Sequence, residues 1–99
     1  MATVYTTFAK VGKRGANGVV EIFNGSGTRS ETITSSGTTA VGTFTAVKDE
    51  MVQICCASNV AVVAGSAPTA TLATGLVVFG GIPQYLAVQT GDKIAVIDC

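Results

Sequence analysis

Hydrophobic residues in this chain come in short runs that alternate with polar ones, and glycine, serine, threonine or asparagine separates the runs. Successive side chains of a strand point to opposite faces, so alternation at a period of two is the mark of β-structure. Residues 3–8 predict a first strand or an extended arm. The segment KVGKRGANG at 10–18 predicts a flexible loop, and 19–23 a short strand closed by a turn at 24–27. Residues 30–34 alternate weakly before Ser35-Ser36-Gly37. Over 41–47, Val41, Thr43, Thr45 and Val47 oppose Gly42, Phe44 and Ala46, which predicts a strand, and KDE at 48–50 predicts an exposed turn. Residues 51–57 and 60–64 predict two strands separated by Ser58-Asn59, a spacing that suits a tight β-connection. A Gly-, Ala- and Thr-rich loop broken by Pro68 follows at 65–75. Residues 76–79 and 84–88 predict further strands, and Thr90-Gly91-Asp92 turns the chain into a last one at 93–97.

About eight short strands at this spacing predict an all-β sandwich or barrel. The chain has 99 residues, the size of one domain. Within it, 1–29 is expected to form an N-terminal arm and first strands, and 30–99 the core of the sandwich. Composition agrees with the pattern. Val, Thr, Gly and Ala dominate, and the β-branched residues among them fit a pleated sheet better than a helix.

Charge changes the picture more. Only 12% of residues are ionic, against roughly 25% in an ordinary soluble domain. Six basic and six acidic residues cancel, so no overall field draws the protein to nucleic acid or to an anionic membrane. From Met51 to Gly91 there is no Asp, Glu, Lys or Arg at all. The apolar runs in this stretch are too short and too often broken to span a membrane as a helix. Two of the predicted strands are apolar on both faces: Ile94 and Val96 oppose Ala95 and Ile97, and Leu76 and Val78 oppose Val77 and Phe79. Such strands lie between two layers, and the centres of protein interfaces are depleted in charge. A homo-oligomer is therefore expected, with much of the uncharged surface covered by other protein chains.

Candidate chemistry is sparse. Cys55 and Cys56 are adjacent in a predicted strand, so they face opposite ways and cannot serve one site together. Cys56 shares a face with Val52 and Ile54 and is expected in the core; Cys55 shares one with Met51 and Gln53 and is expected at a contact face. A thiolate nucleophile needs a nearby base or cation. The chain has no histidine, and no Lys or Arg falls within the six residues before the pair. Cys99 is expected at an exposed chain end. No CxxC and no phosphate-loop motif is present, and the single acidic doublet, Asp49-Glu50, reads as a solvated tip. An enzyme is not expected, and no metal or cofactor is implied. Lys10, Lys13 and Arg14 read as a solvated cluster or a basic arm that clamps a neighbour.

VQICCASNVAVVAGSAPTA at 52–70 and GLVVFGGIPQYLAVQTGDKIAVID at 75–98 resemble the small head decoration, cement, stabilisation or head-fibre proteins of tailed bacteriophages. The resemblance rests on a strand pair, the Pro68-Thr69-Ala70 loop, an apolar strand, the aromatic strand Tyr85-Leu86-Ala87-Val88 and a closing GDKIAVI, and SSGTTA at 35–40 adds to it. It covers 30–98; the segment 1–29 departs from it. What it implies is a jelly-roll-like antiparallel β-sandwich, often trimeric. Such a protein is made in the host bacterial cytoplasm, binds the major capsid protein on the outside of the virion and fastens neighbouring capsid subunits. Residues expected at capsid or subunit contacts are Tyr5, Phe8, Lys10, Lys13, Arg14, Cys55, Val77, Phe79 and Tyr85. The alternative is a receptor- or glycan-binding knob of a head fibre or tail module, with recognition carried by exposed loops.

Overall fold

A computed structural model describes residues 2–14, 20–23, 28–48 and 50–99, with side chains omitted over 11–14 and 20–23. The described residues form nine strands: β1 (Thr3–Arg14), β2 (Val20–Phe23), β3 (Arg29–Thr34), β4 (Ala40–Val41), β5 (Glu50–Cys56), β6 (Val60–Gly65), β7 (Leu76–Val78), β8 (Gln84–Ala87) and β9 (Lys93–Asp98). They make two antiparallel sheets, an all-β sandwich. In the first, β1 and β5 are central, β8 pairs with β5, and β3 and β2 pair with successive halves of β1. The second runs β4-β9-β6-β7. β3 lies against β4 and β5 against β7, so the two sheets stack with β3 and β4 on one flank and β7 and β8 on the other.

Alternation fixes which residues meet between the sheets. β5 buries every second residue: Val52, Ile54 and Cys56 face inward while Met51, Gln53 and Cys55 are half-buried on the other side. Val4, Phe8 and Ile33 join them from β1 and β3, and Val60, Val62, Val78, Ile94 and Val96 come from the second sheet. Phe8, Val4, Val52, Ile54 and Val60 are fully buried. Burying a side chain of this kind stabilises the fold by about 1.5–3 kcal/mol.

Of the two readings of 3–8 the strand holds: β3 and β5 flank it, and Val4, Thr6 and Phe8 lie in the interior. Three other expectations are corrected here. β1 continues through the expected loop as far as Arg14, because β2 pairs with Val11–Arg14; residues 15–19 and the turn at 24–27 lie outside the described residues. Of the expected 41–47 strand only Val41 lies in a ladder, together with Ala40 before it; beyond Val41, the N–H groups of Gly42 and Ala46 still reach the Ile94 and Asp92 carbonyls, while side chains take the N–H groups of Thr43, Phe44 and Val47, as described below. Ser58-Asn59 does not close a hairpin, since β5 and β6 belong to different sheets and the three residues between them turn a corner. That corner is tight. A side chain at Gly80 would meet the Ala57 carbonyl oxygen at 2.5 Å, and Gly81 has φ +81°, a conformation that favours glycine.

The second sheet hides part of its outer face beneath its own chain. Ala61 and Ala95 lie on that face and yet have no exposed surface. The segment between β6 and β7 lies across them. Ala70 N–H donates to Thr39 Oγ1 (2.9 Å) beside β4, and a side chain at Gly75 would stand 2.7 Å from Ala61 Cβ. Within this strap Pro68 and Ala70 are themselves buried.

Candidate interaction surface

The β3/β4 flank is closed by three ionic side chains, Glu31, Arg29 and Glu50. Glu31, on β3, accepts from Thr43 N–H (3.1 Å), Thr43 Oγ1 (2.9 Å) and Phe44 N–H (3.0 Å). Those backbone donors follow Gly42, whose own N–H still reaches the Ile94 carbonyl of β9. Arg29 pairs with Glu50, donates to the Thr45 carbonyl (3.0 Å), and lies over the rings of Phe8 and Phe44 at 5.4 and 5.8 Å. The Glu50 carboxylate is almost wholly buried and also accepts from Val47 N–H at 2.8 Å. Glu50 is therefore part of this closure, not a solvated tip. A buried carboxylate persists only when paired and hydrogen-bonded, and Glu50 has both.

The β7/β8 flank is built differently. Leu76, Val77, Phe79, Ile82 and Tyr85 are all exposed there, between 39% and 55% of their surface, within a stretch that has no ionic residue. β7 pairs with β6 and β8 with β5, and among the described residues neither has a second partner strand. Around the corner, the outer face of the first sheet carries Thr3, Tyr5, Thr7, Ser30, Thr32, Thr34, Gln53, Cys55, Tyr85 and Ala87, none of them ionic. Tyr5 stands opposite Cys55 across the β1–β5 ladder, and Tyr85 stands opposite Gln53, whose Nε2 donates to the Tyr85 hydroxyl at 2.9 Å.

Strand register also gathers the basic residues at one end, with the Asp98 carboxylate at the other. Lys10 pairs with Glu50, Arg29 with Phe8 and Lys93 with Gly65, all at one end of the sandwich, and the β1–β2 extension with Lys13, Arg14 and Glu21 leaves from there. The corners 35–39, 57–59 and 79–83 at the other end contain no ionic residue. There the buried Ser35 ties three strands together. It receives Ala2 N–H at 2.9 Å and donates to the Asp98 carboxylate, which holds that carboxyl below its ordinary value.

The residues expected at contacts thus separate. Tyr5, Cys55 and Tyr85 share the outer face of the first sheet, and Val77 and Phe79 border the same flank as Tyr85. Phe8 is corrected: it is fully buried against Arg29 and reaches no surface. Lys10 is exposed at the opposite, charged end, and the side chains of Lys13 and Arg14 lie outside the described residues. Leu76 and Ile82 complete the apolar flank and were not anticipated; Ile82 stands alone between Gly81 and Pro83, where no periodicity marks it. Cys56 is buried, its thiol donating toward the Val78 carbonyl at 3.9 Å, and burial raises its pKa, with Cys55 and Cys99 adding to the effect.

No helix among the described residues is long and apolar enough to cross a membrane. No family model, curated protein or solved structure matches the chain.

Proposed function

We propose that this chain is a structural virion protein that binds the outer surface of a tailed-phage capsid, and itself, and fastens neighbouring major capsid subunits. The observation that carries the reading is the uncharged β7/β8 flank with its five exposed apolar side chains. A surface of this kind marks a site of protein contact. Strand order supports the jelly-roll part of the resemblance. Taken from β3, the sheets run 3-1-5-8 and 4-9-6-7, an eight-stranded double Greek key in which the N-terminal strand stands between β3 and β5, where a last strand would otherwise be. A fastener repeated many times over a shell needs only modest area at each contact, because multivalency multiplies weak contacts.

The test is co-sedimentation with capsid shells that lack the protein. Saturable binding at a fixed ratio, with a rise in the melting temperature of the shells, is the expected result; no binding to shells would overturn the reading. Tyr5 and Tyr85, exposed on one face, favour the glycan-binding alternative to that extent, since sugars stack on aromatic rings. Binding to glycans or host cells, lost in Tyr85→Ala, would establish that alternative instead.

A further inference from the structure

We draw no further inference here: the strongest candidate, the exposed apolar flank of β7 and β8, carries none, because nothing among the described residues shows what covers it.

Discussion

At the β3/β4 flank, Glu31 and Arg29 reach across to the backbone of Thr43, Phe44 and Thr45 and close the sandwich with charge-assisted bonds. At the β7/β8 flank no ion pair spans the edges among the described residues, and Leu76, Val77, Phe79, Ile82 and Tyr85 are exposed. The difference teaches which surface serves the fold and which is available to a partner. A buried ionic closure is costly to assemble and strongly destabilising to break on one side only. An exposed apolar flank contributes little to the isolated chain, and its burial is deferred until something covers it.

Substitutions at the closed flank should therefore lower stability, while those at the open flank should lower association. The largest loss is expected for Phe8→Ala, which empties the interior beside Arg29: about 3–5 kcal/mol by urea unfolding. A loss below 1 kcal/mol would return residues 3–8 to the role of an arm. Arg29→Met leaves Glu50 buried without its counter-ion. Because Arg29 is itself about one-third exposed, the expected cost is about 2–3 kcal/mol, near the low end for a broken buried pair. Gly42→Ala comes next. Its new methyl would stand 2.3 Å from Glu31 Oε1 and displace a carboxylate held by three donors, at about 1–2 kcal/mol.

Asp98 lies on neither flank and gives a smaller, pH-dependent effect. Its bond from Ser35 holds the carboxyl below its ordinary value near 3.8. A depressed acid adds stability that is present above the ordinary value and lost as pH falls through the folded one. Thermal unfolding followed from neutral pH to strong acid should thus decline more steeply in the native chain than in Asp98→Asn; parallel curves would show that the bond carries no weight. The smallest change in stability is expected for Phe79→Ser and Ile82→Ser, within about 0.5 kcal/mol of the parent. The same variants should bind capsid shells and each other more weakly. A folding cost as large as that of Phe8→Ala would erase the distinction between the flanks.

Local pattern made much of the sandwich legible. The opposite facing of Cys55 and Cys56 follows from strand geometry alone, and the alternation in β5 put Val52 and Ile54 inside. The unbroken neutrality of 51–91 marked the stretch in which Leu76, Val77, Phe79, Ile82 and Tyr85 are exposed. What stayed hidden depends on distance along the chain. Arg29 and Glu50 are 21 residues apart, and Ser35 and Asp98 are 63 apart. Neither pair has a spacing that marks it. The strand expected over 41–47 leaves its ladder after Val41, where Glu31, remote in sequence, takes the N–H groups of Thr43 and Phe44 and only Gly42 and Ala46 still bond to the backbone at 92–94. Residues 3–8 read equally well as arm or strand, because both neighbours that enclose them, β3 and β5, are remote in sequence.

The placement of β1 between β3 and β5 also bears on how the chain is made. It is synthesised ahead of both strands that enclose it, and at about 5–20 residues per second the ribosome needs several seconds to deliver Cys56 after Arg14. For that interval Val4 and Phe8 have no shelter, and nascent chains on one messenger carry the same unsealed strand side by side. Slowing translation between β1 and β5 should accordingly reduce the yield of folded protein before it alters the product.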